Sequence, residues 1–388
     1  MALPAGVDGS CEPAFAAVAE VLAQQLASGV QRGAAVAVRH RGRPVVDIWG
    51  GGFAEDTLVV CFSTTKGIAA TAVHMVVERA GLDYDAPVAS VWPEFGRHGK
   101  DAITIRQCLC HEAGVPQIRD QIPDTWAMAD WEAMVAMVEN LTPLWPPGTA
   151  NGYHAINWGW LAGELVRRID GRPLPQFLAE EVAGPLGLDG CSIGTPMYQR
   201  HRLATVALDP AVGGMPAFED FLPADSITVR SLTPRGSIVE FVNSPAGLDA
   251  CAPAINGAFT ARSLASVYAL LERGGSLGDT TLLRPSTVIA ATAVQNHRPD
   301  LVLILPMRWR LGFMGGGVPR LGPSSDGGAS LARSFGHAGF GGSIAMADPA
   351  SGIAMAVTLD HLSLDIVGDD RSRRLVATAV ACAEAADG

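Results

Sequence analysis

Near the start of the chain, apolar side chains recur at helical spacing. Phe15, Val18, Val21, Leu22 and Leu26 fall on one face of a helix predicted over Pro13 to Val30. The period then changes: Ala34 to Arg39 and Pro44 to Trp49 are β-rich runs separated by Arg41-Gly42, the pattern of a hairpin, and Gly50 to Gly52 end it. Thr64 to Ala80 is apolar nearly all round (Ile68, Ala72, Val73, Met75, Val76, Val77), which predicts a helix buried at the centre of a domain, with Ser63 at its entrance. From Ala102 to Leu186 the pattern is helical, punctuated at Gly114-Val115-Pro116 and Trp145-Pro146-Pro147-Gly148.

No clean period runs between His201 and Pro253, where Pro, Gly and Asp are frequent; this predicts a long excursion of loops with short elements. A helix over Arg262 to Glu272 follows. The chain then returns to strands around Phe335, at Ser343 to Ala347 and at Ile353 to Leu359, the last two joined by an Asp348-Pro349-Ala350-Ser351-Gly352 turn, and it closes on a helix over Arg371 to Ala385. This order lets the first and last segments share one antiparallel sheet, with the terminal helices on one face and a helical insertion on the other, an α/β (α+β) fold. The expected division is a sheet domain from 1–62 and 255–388, a helical subdomain over 63–200, and a loop-rich insertion over 201–254 near the site.

The 388 residues exceed the usual single-domain length, in keeping with one large fold carrying an inserted subdomain. A net charge of −11, with no cluster of Lys and Arg, argues against nucleic acid or an anionic membrane as partner. No run reaches the length of a membrane span and Met1 to Phe15 lacks the basic and apolar regions of a signal peptide, so the expected location is cytoplasmic. Seven scattered cysteines (Cys11, Cys61, Cys108, Cys110, Cys191, Cys251, Cys382) do not make a disulfide framework. Cys108 and Cys110 lack a second pair, and His111-Glu112 lacks the second histidine of a zinc helix, so no metal and no cofactor are assigned.

Lys66 and Lys100 are the only lysines, and Lys66 lies three residues after Ser63 in Ser63-Thr64-Thr65-Lys66 at a helix start. Residues at i and i+3 share a helical face, so the amine can reach the hydroxyl and take its proton if burial and the positive helix end lower its pKa. The same helix start offers the Ser63 N–H to a developing oxyanion. The competing explanation makes Ser63 a plain N-cap and Lys66 a surface residue, but a charge on a nearly all-apolar helix needs a partner. Pro147-Gly148-Thr149-Ala150-Asn151-Gly152-Tyr153 brings one of only four tyrosines, whose phenol, lowered in pKa beside a lysine ammonium, could relay protons; alone it would be a core or rim aromatic. Gly336-His337-Ala338-Gly339-Phe340-Gly341-Gly342-Ser343 leads into a strand whose edge could donate an N–H to a substrate, or is simply a turn or bulge.

S-x-x-K at the head of a buried helix, then P-G-x-x-x-x-Y, then H-x-G before a strand, resembles the class C β-lactamases, the DD-peptidases and their esterase relatives, the family VIII carboxylesterases. Ile103 to Pro116, the Gly184-Pro185-Leu186-Gly187-Leu188 turn and Asn256 to Leu264 resemble flanking segments of that family, so the likeness spans most of the chain except 201–253. It implies a β-lactamase/transpeptidase-like fold, Ser63 as acylated nucleophile, Lys66 and Tyr153 as proton shuttle, and the N–H groups of Ser63 and Phe340 as oxyanion hole. The chain departs from the β-lactamase pattern at Ala155, where an Asn is usual, and at His337-Ala338-Gly339, where Lys-Thr-Gly is usual. Both departures remove polar anchors for a β-lactam and favour neutral esters, with Ala155, His337 and Gly339 lining the substrate site.

The expected activity is therefore a serine carboxylesterase on short-to-medium neutral esters, a small-molecule substrate being its only assigned partner; Met215, Phe218, Phe221 and Leu222 are candidates for an apolar pocket wall. The alternative on the same fold is a β-lactamase, a DD-peptidase-like amide hydrolase or an acyltransferase. Two readings from other classes stand beside it: an α/β-hydrolase with Ser343 in the approximate elbow Gly341-Gly342-Ser343-Ile344-Ala345, and a catalytically silent binding protein.

Overall fold

The computed structural model describes residues 2–210, 218–315 and 333–387. Seven strands form one antiparallel sheet: β1 (Val7–Cys11), β2 (Ala34–His40), β3 (Arg43–Gly50), β4 (Met314–Gly315), β5 (Phe335–Ala338), β6 (Ile344–Asp348) and β7 (Ile353–Leu359), in the order β1-β3-β2-β7-β6-β5-β4. The β2–β3 loop is Arg41-Gly42 with both residues at positive φ (50° and 80°), the two-residue turn whose twist matches the flanking strands. The chain's two ends meet at β2 and β7, which pair from Ala34↔Leu359 to His40↔Ile353. Every residue of β7 is buried. It is the middle strand and both its faces are covered, which is why its sequence reads as an unbroken apolar run.

Successive side chains of β2 show what covers each face. Arg39 donates from Nε to Ser266 Oγ (3.2 Å) on the helix Ala261–Glu272, whereas the His40 ring meets Phe15 (5.8 Å between centroids) and Asp387 at the end of the last helix. Helices α1 (Ala16–Ala27) and Asp370–Asp387 thus share one face, tied by Gln25 Nε2 to the Arg371 carbonyl (2.9 Å), and Ala261–Glu272 packs on the other.

Beyond that second face stands α2 (Thr65–Ala80), buried from Thr65 through Val77 and ended by Gly81 in the left-handed region. It packs against α5 (Trp158–Asp170), with α3 (Ile105–Leu109) and α4 (Trp131–Asn140) alongside. Burying each Val or Ile of α2 contributes about 1.5–3 kcal/mol. The stretch 102–186 holds less helix than its pattern predicts, because 110–124 and 141–157 run as turns and irregular backbone stitched by side chains, with a short 3-10 helix at Thr125–Ala129 ahead of α4. Asn157, fully buried, donates to the carbonyls of Val115 (3.1 Å) and Gln117 (2.5 Å). Residues 218–253 hold three short helices, Ile227–Leu232, Ile238–Asn243 and Pro245–Asp249, each opened by a serine side-chain cap (Ser226, Ser237, Ser244). A small antiparallel sheet of Val59–Val60, Gly257–Phe259 and Cys191–Ile193 lies next to the start of α2. Among the described residues no helix is long and apolar enough to cross a membrane.

Candidate active site

From Leu58 to Val77 every residue is buried except Ser63, which is half-open. Ser63 sits in a tight turn, Phe62–Thr64, two residues ahead of the first α-helical residue, Thr65, so the helix starts later than the sequence pattern implies. Phe62 holds φ +45°, an uncommon and costly conformation for a bulky residue, and its ring packs edge-on against Phe340 (5.5 Å). The intervening threonines fix the turn to both sheets: Thr64 Oγ1 donates to the Ser343 carbonyl (3.2 Å), and Thr65 Oγ1 accepts from the Gly257 N–H (3.0 Å).

The three residues of the proton-handling set meet at one oxygen. Ser63 Oγ lies 3.0 Å from Lys66 Nζ and 2.7 Å from the Tyr153 hydroxyl, which donates to it. Lys66 Nζ also donates to the carbonyls of Ala155 (2.7 Å) and Ala254 (3.2 Å) and sits 5.0 Å from the Tyr153 ring centre. Complete burial holds the Lys66 amine well below the usual lysine range. The same burial raises the Tyr153 phenol above its ordinary value, with the Ser63 hydrogen bond acting the other way, which corrects the expectation of a phenol lowered by a neighbouring ammonium. Both shifts favour the uncharged forms, an amine and a phenol.

A neutral amine has two N–H bonds and one lone pair. With the carbonyls of Ala155 and Ala254 taking the two N–H bonds, the lone pair is left for the Ser63 O–H. Ala155 therefore also enters the site through its backbone oxygen, which sequence reasoning did not foresee. The other lysine, Lys100, is also fully buried, donating to the carbonyls of Arg97, Glu139 and Leu141; burial lowers it to about 8. It clamps the chain.

Phe340 lies in the 339–343 turn between β5 and β6. Among the described residues neither its N–H nor that of Ser63 donates to a protein acceptor. Gly339 is glycine for a packing reason: a Cβ there would lie 2.2 Å from the Cys61 carbonyl oxygen, so its bareness brings the turn onto the Ser63 segment instead of opening a path to a ligand. His337 is buried, its Nδ1 2.8 Å from the Ala338 carbonyl and its Nε2 without a hydrogen-bond partner among the described residues. Burial lowers it to about 3, so it is a neutral ring 6.0 Å from that of Tyr153.

What supports Tyr153 was not foreseen. Asp300, buried, accepts from the N–H groups of Tyr153 (3.0 Å), Val302 (2.9 Å) and Leu303 (2.9 Å) through Oδ1, and from Asn151 Nδ2 (3.2 Å) and Trp309 Nε1 (2.9 Å) through Oδ2. The Trp309 ring stacks on Tyr153 at 5.3 Å and 11°. His111, at φ +66°, lies 4.2 Å from Trp309, and its Nδ1 accepts from the His154 N–H (3.1 Å). Nothing in a local pattern joins Asp300 to Tyr153; the Pro299-Asp300 pair signals only a turn. Trp309→Phe keeps the stacked ring and loses one bond to Asp300, so it should cost about 1 kcal/mol of stability in a denaturant titration and only a few-fold in kcat.

The Ser343 elbow is overturned. Its Oγ accepts from the Leu359 N–H (3.3 Å) within the sheet, the residue is buried, and the seven-stranded sheet has no parallel pair on which an α/β-hydrolase could be built. All seven cysteines are free thiols. Among the described residues no group of His, Cys, Asp and Glu is arranged to hold a metal ion. Of the expected apolar wall, Phe221 is 74% exposed and Phe218 and Leu222 are half-buried, while Met215 lies outside the described residues.

A family model described as Beta-lactamase matches residues 18–378. The esterase/beta-lactamase LipL of Mycobacterium tuberculosis is 32% identical over 385 residues, which cover 94% of this chain and 86% of that protein. Among solved structures, a penicillin-binding protein homologue from Caulobacter crescentus is 37% identical with a TM-score of 0.81. A family VIII carboxylesterase is 33% identical with a TM-score of 0.85; each of these two alignments covers 97% of this chain and 99% of the other.

Proposed function

This chain belongs to the beta-lactamase family, and from that premise we propose that it is a carboxylesterase that hydrolyses neutral, short-to-medium esters through an acyl-enzyme on Ser63. It is a hydrolase of the esterase/beta-lactamase fold, acting on ester bonds. The observation that carries the finer reading is the approach of Lys66 Nζ and the Tyr153 hydroxyl to the one half-open oxygen, at 3.0 and 2.7 Å.

In the proposed reaction Ser63 Oγ bonds to the ester carbonyl carbon as its proton passes to the Lys66 lone pair. The carbonyl oxygen takes the negative charge and is met by the N–H groups of Ser63 and Phe340. As that intermediate collapses, the bond to the alcohol oxygen breaks. Tyr153 gives its proton to the departing alkoxide and regains one from the Lys66 ammonium, leaving both groups neutral again. Water then attacks the acyl carbon, the same pair removes its proton, and the carbon–Oγ bond breaks with return of that proton to Ser63.

The ester preference rests on what faces the substrate. His337 is a neutral ring and Ala155 a methyl where β-lactamases place a cation and an amide, so a substrate carboxylate or acyl amide finds no charged anchor at either place. The loop that carries Asp300 presents Leu301 and Ile304 outward, 41% and 64% exposed, apolar surface suited to an acyl or alcohol chain. An ester also releases its alcohol, whereas a lactam keeps its amine tethered beside the acyl bond, so lactam deacylation demands more positioning of water.

The test combines a fluorophosphonate probe with p-nitrophenyl esters of several chain lengths and a chromogenic cephalosporin. Labelling at Ser63, good turnover of C2–C8 acyl esters and a cephalosporin at least about 100-fold poorer in kcat/KM are expected. Comparable kcat/KM on the cephalosporin would make the chain a β-lactamase, and an unlabelled Ser63 would make it a silent binder. The pH profile adds an independent check. The working amine is unprotonated, so kcat/KM should fall as pH drops through the lowered Lys66 value, and with the phenol raised no matching loss should follow up to pH 9.5. His337→Gln should leave that acid limb where it is; its disappearance in this variant would hand the limb to an imidazole.

A further inference from the structure

The Phe340 N–H is only as well aimed as the turn that carries it, and that turn is two glycines long on its far side. Gly341 and Gly342 sit at φ +82° and +124°, where the backbone has least steric guidance of its own. Within the turn, the Gly339 N–H donates to the Ser343 carbonyl (2.7 Å) and the Gly342 N–H to the Gly339 carbonyl (3.2 Å). The remaining bonds come from the start of the last helix and the strap before it. Arg371 Nη2 donates to the Gly341 carbonyl at 2.7 Å, the Ser363 N–H donates to the same oxygen at 3.2 Å, and the Gly341 N–H donates to the Asp365 carbonyl at 3.1 Å. The Ser372 hydroxyl donates to the Gly342 carbonyl.

Arg371 is itself held rigidly. Asp369 takes its Nε (2.8 Å) and Nη2 (2.6 Å) in a two-pronged pair, with side chains only 3% and 10% exposed, and Asp369 Oδ1 also accepts the Arg371 N–H. Nη1 reaches the carbonyls of His361 (2.7 Å) and Val30 (3.3 Å). A planar guanidinium gripped on one edge by a carboxylate can present its other N–H bonds only in fixed directions. The fit leaves no slack: a Cβ on Gly342 would lie 3.0 Å from both Arg371 Nη2 and Asp369 Oδ2. None of these three side chains touches Ser63, Lys66 or Tyr153.

We propose that Asp369, Arg371 and Ser372 are positioning residues for the oxyanion hole, clamping the Gly341 and Gly342 carbonyls so that the Phe340 N–H stays pointed at the acyl oxygen on Ser63. The inference rests on the acyl-enzyme reading above and adds to it what keeps that donor in place. It also gives the C-terminal helix a part in the chemistry of a serine over 300 residues earlier in the chain.

An acyl carbonyl seated in an oxyanion hole is polarised, and its infrared stretch falls with the strength of the hydrogen bonds it receives, a signature that loss of folding stability alone does not move. The experiment acylates wild type, Arg371→Lys, Ser372→Ala and the charge-matched double variant Asp369→Asn/Arg371→Gln with a slowly deacylating aryl ester, with and without a 13C-carbonyl label. The difference spectrum is read beside kcat and KM. Arg371→Lys keeps the charge but cannot grip Asp369 and Gly341 together, so it should lower kcat about 10- to 100-fold, part of the 100- to 1000-fold that loss of a whole donor costs. KM should change less than about three-fold, and the acyl band should move to higher wavenumber. Ser372→Ala removes one hydroxyl and no charge, so it keeps the question open if the others fold poorly, and should show the same shift at smaller size. A wild-type acyl band that these variants leave unmoved, with kcat unchanged, overturns the clamp alone. A wild-type protein that forms no acyl-enzyme on Ser63 overturns the esterase reading, and the clamp with it.

Discussion

Replacing Ser63 with alanine should reduce ester turnover by on the order of 10^5-fold or more, to the level of an unassisted pocket, while leaving thermal unfolding close to wild type. In the proposed mechanism the hydroxyl is the attacking group, whereas the turn that carries it is held by Phe62, Thr64 and Thr65, none of which the substitution touches. Lys66→Met and Tyr153→Phe should each lower kcat by roughly two to four decades, the range for a positioned acid or base. The double variant should lose little more than the worse single one, because both groups act on the same oxygen and each is idle without the other. Turnover, burst kinetics and intact mass after brief exposure to an aryl ester measure all of this. An Ser63→Ala protein that still hydrolyses esters at the wild-type rate would remove the serine from the mechanism. Losses that simply multiply in the double variant would make one partner a scaffold residue.

Mild acid should destabilise the protein steeply through its buried histidines. Four buried histidines carry values held down first by burial: His74 at about 4, His154 and His337 at about 3, and His111 well below the ordinary range. In the unfolded chain each returns to about 6.5. Between those values the unfolded chain binds protons that the folded one refuses, so the histidines' contribution to stability is complete above about pH 6.5 and is lost as pH falls from there toward 3 to 4. At pH 5 each ring costs on the order of 2 kcal/mol, and four of them on the order of 8, which is comparable with the entire stability of a typical domain. Lys66 extends the slope in the same direction at higher pH, since it is neutral when folded and protonated when unfolded up to about 10.5. Urea midpoints at pH 7.5, 6 and 5 should therefore fall steeply. His74→Gln, able to keep partners at the Tyr84 hydroxyl and the Leu311 carbonyl, should remove about a quarter of the low-pH slope. A midpoint that stays level from pH 7.5 to 5 would mean that these rings take up protons inside the fold.

The parts of the molecule that could be read from the sequence are those in which one chain segment carries its own periodicity. The β2–β3 hairpin, α2, the helix Ala261–Glu272 and β7 fall within a residue or two of their expected bounds, because each carries a regular or unbroken apolar pattern along its own length. Strand β1 gave no such sign: only Val7 is buried, and the strand is fixed by pairing with β3 rather than by its own side chains. The excursion after residue 201 hides three short helices, although Ser237-Ile238-Val239-Glu240 has the spacing of a capping box and Ser244-Pro245 that of a helix start. Helix was overestimated across 102–186 because apolar residues that pack from irregular backbone still recur every three or four positions. At the site, the three side chains that meet at the Ser63 oxygen were visible as a motif within one helix turn plus one rare tyrosine. Their support was not, since Asp300 reaches Tyr153 and Arg371 reaches Gly341 across long stretches of chain. The sense of the Tyr153 shift was misjudged for a related reason: sequence shows which charges are near, but not how completely water is excluded.

The burial of both lysines carries a further consequence, for what the protein does with reactive esters in bulk. Lys66 and Lys100 are the only side-chain primary amines in the sequence, and each is closed to solvent by the carbonyls that grip it. The positive charge on the outside is guanidinium, which stays protonated and does not take an acyl group in neutral water. An ordinary protein bathed in aryl esters becomes slowly decorated on its surface lysines, its charge drifting as it works. This one has no surface lysine to decorate, only its α-amino group, so its isoelectric point should drift little through prolonged exposure to activated substrate.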